Sequence, residues 1–276
     1  MQSAVSRTPL RTLFISDTHL GMRGAQAEAL LEFLDTIDPQ TIYLVGDIVD
    51  GWKLKKSWHW PPAANRVVQH LLERVRNGAR VIYLPGNHDE FLRDFSPLKF
   101  GGIDVRERTI HTGADGRRYL VIHGDQFDVV VRHARWFSWL GDISYNAALR
   151  TAMVVNRVRS RMGQPRWSLS AWARANVSKA AALVERFEAA LARAAVEARV
   201  DGVICGHIHA AAIHQRDGVR YLNCGDWVEN CTAIAEHADG RFELIRWVGR
   251  KQPAPSREPD GANEAWELAD APAHRF

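Results

Sequence analysis

Little in this sequence would tie the chain together covalently or carry it across a membrane. Its 276 residues include three cysteines, Cys205, Cys224 and Cys231, an odd and sparse set without a C-x-x-C spacing. That argues against a disulfide framework and fits small buried side chains in a reducing compartment. No stretch approaches the ~18 to 20 uninterrupted apolar residues of a spanning helix. The segment from Met1 to Arg11 lacks the apolar run of a cleaved signal peptide, so a cytoplasmic chain is expected. An excess of one charge is also slight: 36 Lys and Arg stand against 32 Asp and Glu, a formal charge of +4. Such a balance suits an anionic substrate or an acidic membrane surface but is too small to argue for nucleic acid. No internal repeat is present. The length is enough for one large core with an inserted subdomain.

What is present is a series of short apolar runs, each leading into a polar loop. Leu13-Phe14-Ile15 leads into Asp17-Thr18-His19, and Ile42 to Val45 into Gly46-Asp47. Val81 to Leu84 leads into Gly86-Asn87-His88-Asp89, Tyr119 to Ile122 into His123-Gly124-Asp125, and Val203 to Cys205 into Gly206-His207-Ile208-His209. Runs this short and this apolar read as strands buried on both faces. Helix-like spacing over Ala25 to Ile37 and Asn65 to Arg76 lies between the first three, which predicts a layered α/β domain with its functional groups at strand ends.

The organisation changes between about Phe127 and Arg199, which is rich in Ala, Arg, Leu and Trp and has no strand-like alternation. Ser178 to Ala198 reads as one amphipathic helix with Leu183, Phe187 and Leu191 at four-residue spacing. The expected division is therefore a core over 10–126 and 200–249, a helical insertion or cap over 127–199, and a poorly ordered Pro- and Ala-rich tail over 250–276. Strands return at Val219 to Leu222, Thr232 to Ala235 and Phe242 to Val248, with a turn at Asp239-Gly240 in the last gap.

Two hard divalent cations held close together need several oxygen and imidazole ligands and a carboxylate able to touch both. The loops offer that set. Asp17 and His19, like His207 and His209, lie two apart, so each pair can point one way from extended backbone. Asp47, Asn87 and His123 each follow a different strand. Singly these are weak signals, since Asp-x-His is commonly a cap and Asn after Gly a turn. Five loops carrying ligand-type groups directly after five apolar runs make a metal site the economical reading. Glycines 46, 86, 124 and 206 would let the backbone approach the metals closely.

The ordered set of these five loops, with Gly46-Asp47-Ile48-Val49-Asp50 as the second, resembles the motifs of calcineurin-like metallophosphoesterases from about Leu13 to Trp247. The resemblance implies a four-layer α/β/β/α sandwich and a metal-dependent phosphoric ester or diphosphate hydrolase. It implies that Asp17, His19 and His209 bind one metal, that Asn87, His123 and His207 bind the other, and that Asp47 bridges. The cofactors implied are two divalent ions, manganese first, with iron or zinc as alternatives. His88 would stabilise or protonate the leaving oxygen, and Asp50 would orient His88.

Within that superfamily the order of loops, and the helical stretch directly after His123-Gly124-Asp125, is most similar to bacterial UDP-2,3-diacylglucosamine pyrophosphatases. The likeness implies hydrolysis of an anionic, lipid-linked nucleotide to UMP and a lipid monophosphate, with Asp128, Asn176 and Lys179 contacting the head group. It departs at His88, where the best-known enzymes of that activity carry Arg. A broader-specificity phosphodiesterase or phosphatase is the alternative, and a non-catalytic scaffold is a third reading, one that expects missing ligands. Trp and Arg in the insertion, with Trp52 to Trp60 after Asp47, suit an amphiphilic anion or peripheral contact with the inner membrane. The same composition also fits a packed helical pair with its Arg residues in water.

Overall fold

The computed structural model describes residues 7–127 and 169–248, apart from the side chains of residues 169–180. Asp128 and most of the expected cap lie outside the described residues, as do the tail and the side chains of Asn176 and Lys179.

Two sheets form the centre. The first is seven-stranded, in the order β12-β11-β1-β2-β3-β5-β4, and the second is five-stranded, in the order β6-β7-β8-β10-β9. The strands are β1 (Thr8–Ile15), β2 (Ile37–Val45), β3 (Arg80–Leu84), β4 (Leu98–Phe100), β5 (Ile103–Val105), β6 (Thr109–Thr112), β7 (Arg118–Val121), β8 (Gly202–Cys205), β9 (Ala212–Arg216), β10 (Val219–Asn223), β11 (Thr232–Glu236) and β12 (Phe242–Arg246). Their period of two sorts the apolar runs onto opposite faces. Phe14, Tyr43, Val45, Ile82 and Leu84 of the first sheet meet Tyr119, Val121, Ile204 and Leu222 of the second in one buried cluster. The residues between them in sequence point the other way. Leu13, Ile15, Ile42, Leu44 and Val81 pack under α1 (Ala27–Thr36) and α3 (Pro62–Arg76). Leu120, Val203 and Tyr221 pack against Phe187, Leu191, Ala192 and Ala195 of α4 (Leu169–Glu197). The short helix α2 (Gly51–Lys56) follows β2. The result is an α/β/β/α sandwich, in which both faces of each sheet are covered, as near-continuous apolar strands require.

Residues 187–195 fall within the stretch expected to be cap, yet here they form the outer layer of the second sheet. Their i, i+4, i+8 spacing is that of any helix burying one stripe, and periodicity does not say which surface the stripe meets. Helix α1 ends where β2 begins, with no loop between. Arg74 on α3 makes that junction possible: it donates to the carbonyls of Leu34 and Ile37, satisfying orphan groups at the helix C-terminus, and pairs with Asp38. The β4–β5 hairpin and β9 lie outside the runs read as strands. β4 is exposed along its whole length and β9 is half-exposed at a sheet edge, so neither shows a buried run.

Strand direction decides where the loops collect. β1, β2 and β3 run parallel, and β7, β8 and β10 run parallel in the other sheet. Their carboxyl ends open on one side, where a crevice outside a layered sheet usually carries function.

Candidate metal centre

Five of the side chains singled out in the sequence sit on backbone in the left-handed region: Asp17 (φ 51°), His19 (45°), Asp47 (53°), His207 (73°) and His209 (54°). Non-glycine residues enter that region at a cost of about 1–3 kcal/mol each, and they cluster where the surrounding structure over-determines them. Here the over-determination is visible. Asp17 N donates to Gly46 O at 3.0 Å and His19 N to Asp47 O at 2.9 Å, so the first two loops lock together. Thr18 Oγ1 donates to Ile48 O at 2.8 Å. Trp227 N donates to Asp17 O at 3.0 Å, and Asn223 Nδ2 to Gly206 O at 2.9 Å, tying the loop after β10 to the loops after β1 and β8.

A residue outside the candidate set does most to seat Asp47. The carboxylate of Asp89 is fully buried and accepts from Gly86 N at 2.6 Å, Ile48 N at 2.8 Å, Asp47 N at 3.3 Å and the Tyr83 hydroxyl at 2.5 Å. Burial, then the negative charge of Asp47, push its own carboxyl upward from the ordinary value. Asp226 has a comparable place after β10, where one oxygen accepts from the amides of Val228, Glu229 and Asn230. Asp89 was visible as the last letter of the Gly86-Asn87-His88-Asp89 motif, but its role depends on amides of a loop forty residues away in sequence. Glycine serves the same convergence. A Cβ on Gly46 would stand 2.2 Å from His123 Nδ1, and one on Gly86 would stand 2.3 Å from Asp47 Oδ1. The missing side chains make room for neighbouring ligand-type side chains.

The loops bring together Asp17, His19 and His209 as one group of potential ligand atoms, and Asp47, His123 and His207 as a second, each within 4.8 Å. Asp47 also groups with His19 and His88, so it stands between the two sets. Its Oδ2 lies 3.5 Å from His123 Nε2 and 3.9 Å from both His19 Nε2 and His88 Nε2. His209 Nε2 lies 3.2 Å from Asp17 Oδ1. Asp50 lies behind two of the imidazoles, with Oδ1 3.0 Å from His88 Nδ1 and Oδ2 3.5 Å from His19 Nδ1. It also caps α2 by accepting from Lys53 N at 2.9 Å. His123 Nδ1 donates to Val45 O at 2.8 Å, which leaves Nε2 facing Asp47.

Charge follows from this geometry. Burial opposes ionisation of Asp47, but the imidazoles of His123, His19 and His88 outweigh it and hold the carboxyl well below the usual range. Asp17 is lowered in the same way, against burial, by His209. Burial likewise opposes a charge on His123, yet Asp47 and Asp17 raise it to about 10. His209 is raised to about 9 against burial, first by Asp17. The carboxylates thus call for positive charge, which protons supply when nothing else does. Several buried atoms turned toward this space make no hydrogen bond: Asp17 Oδ1, His19 Nε2, Asn87 Oδ1 and His123 Nε2. Unsatisfied buried acceptors are costly, and a cation coordinated by oxygen and imidazole would satisfy all of these.

Comparison with known proteins gives the chain a family. Residues 10–211 match the family model described as calcineurin-like phosphoesterase. The chain is 28% identical over 253 residues to a UDP-2,3-diacylglucosamine hydrolase of Cellvibrio japonicus, covering 86% of this chain and 99% of that one. It is 24% identical over 245 residues to one of Haemophilus influenzae, covering 84% and 98% respectively. Among solved structures, a phosphoesterase of E. coli aligns at 14% identity with a TM-score of 0.42, covering 86% of this chain and 99% of that chain.

Proposed function

The chain belongs to the calcineurin-like phosphoesterase family and is a metal-dependent hydrolase, and from that premise we propose that it cleaves the diphosphate of UDP-2,3-diacylglucosamine to UMP and 2,3-diacylglucosamine 1-phosphate. The observation that carries the chemistry is Asp47, set between two convergent groups of imidazole and carboxylate ligands. Relatives named for that substrate, matched along nearly their whole length, support the choice of lipid-linked nucleotide.

In this reading Asp17, His19 and His209 hold one cation, Asn87, His123 and His207 hold a second, and Asp47 is shared. The buried acceptors without hydrogen bonds fit that assignment. Manganese is the proposed ion, although the oxygen and imidazole donors equally accept iron or zinc. Bound divalent ions supply Lewis acidity, which activates water near neutral pH and neutralises charge on the phosphoryl oxygens. The chain's own residues do the rest. Asp50 Oδ1 stands 3.0 Å from His88 Nδ1, which holds the ring with Nε2 on the Asp47 side, the position from which its protonated form would donate to the leaving oxygen. Hydrogen bonds from His19 and His88 hold the Asp50 carboxyl well below the usual range despite its burial, so it remains the acceptor throughout.

The lipid end of the substrate would meet the protein beside α2. Trp58 is exposed there, next to Lys53, Lys55 and Lys56, which fits peripheral contact with an anionic membrane. Among the described residues no helix is long and apolar enough to cross a membrane. The proposed location is the cytoplasmic face of the inner membrane.

One observation favours the broader reading, a phosphodiesterase of wide specificity. His88, in the position where the specific enzymes carry Arg, makes a complete Asp50–His88 pair of the general phosphoesterase kind. Assay of the manganese-loaded protein on UDP-2,3-diacylglucosamine beside bis(4-nitrophenyl) phosphate separates the two. Release of UMP from the lipid at the higher kcat/KM is expected. Turnover of the aryl ester alone would end the specific assignment and leave the broader one.

A further inference from the structure

Asp50 holds His88 at Nδ1. Beyond the covalent tether at Cβ, that is a single contact on the edge of the ring, and it leaves the two flat faces of the imidazole to be supported by other groups.

We propose that Trp52 is a positioning residue for His88: its indole lies against the imidazole face and, with Asp50, clamps the ring so that Nε2 stays directed at the shared carboxylate. The ring centroids of Trp52 and His88 are 4.4 Å apart with planes 34° from parallel. His19 closes another side, edge-on, at 4.6 Å and 89°. Both halves of the clamp come from one short piece of chain. Asp50 is the N-cap of α2 and Trp52 its second residue, and Gly51 N donates to His88 O at 3.0 Å, so the segment also grips the backbone of the residue it orients. Trp52 Nε1 reaches Glu90 Oε1 at 3.4 Å, a second contact that restrains the tilt of the indole. Trp52 remains 37% exposed, so its burial alone does not account for its place. An electron-rich indole face also favours whatever positive charge the imidazole acquires.

This inference rests on the reading of His88 as the group beside the leaving oxygen, and the test is built to separate the two. Metal-loaded wild type, His88→Ala, Trp52→Ala and Trp52→Phe are assayed on aryl phosphodiesters whose leaving phenols run from 4-nitrophenol to unsubstituted phenol. A group that assists departure matters most where the leaving oxygen is most basic. His88→Ala should lower kcat on the phenyl ester by about 10²- to 10⁴-fold and on the nitrophenyl ester by much less. Trp52→Ala should reproduce that leaving-group dependence at about tenfold on the phenyl ester, with KM and bound metal unchanged. Trp52→Phe, which keeps a flat ring, should recover most of it. Trp52→Leu keeps apolar bulk without the ring and gives the same reading if the alanine variant does not fold. A steep dependence in His88→Ala with equal losses on all esters in Trp52→Ala, or a rise in KM alone, would overturn the clamp and leave His88 standing. No leaving-group dependence in His88→Ala would overturn both.

Discussion

At the scale of single residues the site is a balance of opposed charges in a dry place, and the consequences divide by role. Asp47 belongs to two of the three groups of potential ligand atoms, so Asp47→Ala should abolish metal retention and turnover together, measured as metal per chain and phosphodiester hydrolysis. His88→Ala should keep the metal and lose turnover; full activity on an ester with a poor leaving group would end the role given to it. Asp89 is not among the grouped ligand atoms, yet five groups donate to its buried carboxylate, the Tyr83 hydroxyl and the amides of Gly86, Asp47, Ile48 and Val49. Asp89→Ala strands those donors and should cost about 3 kcal/mol or more in urea unfolding, with weaker metal retention. Retention equal to wild type would mean that the Asp47 loop holds its left-handed turn unaided. The visibility of these roles in the sequence differs accordingly. Asp17 and His19 could be paired because they lie two apart on one loop, and they do share a group of ligand atoms; His207 and His209, also two apart, divide between the two groups. Asp89 and Asn223 act on backbone that is remote in the chain, and no spacing announces such a partner.

At the scale of elements, the strand ends are held in register by packing on both sides of each sheet. Leu191 of α4 is fully buried against the second sheet, so Leu191→Ala should destabilise by about 2–5 kcal/mol through lost contacts and a cavity. A loss below about 1 kcal/mol would place that half of the helix off the core, as part of a loosely attached cap. Gly46 tests the junction between β2 and the site. Its φ is +79° and its Cα faces the His123 ring, so Gly46→Ala should displace that imidazole and lower metal affinity while the strands persist. Circular dichroism and metal titration on the same sample separate the two effects. The buried strands were legible because β1, β2, β3, β7 and β8 carry apolar side chains on both faces. The edge strands β4 and β9 were not, because a strand half in water has no unbroken apolar run to display.

At the scale of the whole molecule, the site couples metal binding to protons. In the metal-free chain His123 and His209 are raised to about 10 and about 9, so both carry protons at neutral pH, whereas a cation takes the neutral imidazole. Binding must therefore release protons, and affinity should climb with pH through neutrality toward about 9 to 10. Calorimetry in buffers of different ionisation enthalpy measures the number released, and a value of zero near pH 7 would contradict this arrangement. The same shifts bear on folding without metal. A raised histidine contributes stability that is full below its unfolded value near 6.5 and is lost as pH rises through 9 to 10. The lowered carboxyls of Asp17 and Asp47 contribute above about 4 and lose that contribution in acid. The metal-free chain should be most stable between those limits, and metal should extend the upper one.

The order of loops by itself determined the fold class and the candidate ligand set, because short strands buried on both faces must alternate with loops, and those loops carry Asp, Asn and His. Only the tertiary structure decided which further atoms face one another: that Asp50 lies beside His19 as well as His88, that Asp89 carries the Asp47 loop, and that Trp52 lies on His88. The reason is physical. Strand and loop are dictated by neighbours within a few residues, through period and turn geometry. Distances between loops are set by the packing of two sheets and their helices, a property of the whole chain folded at once.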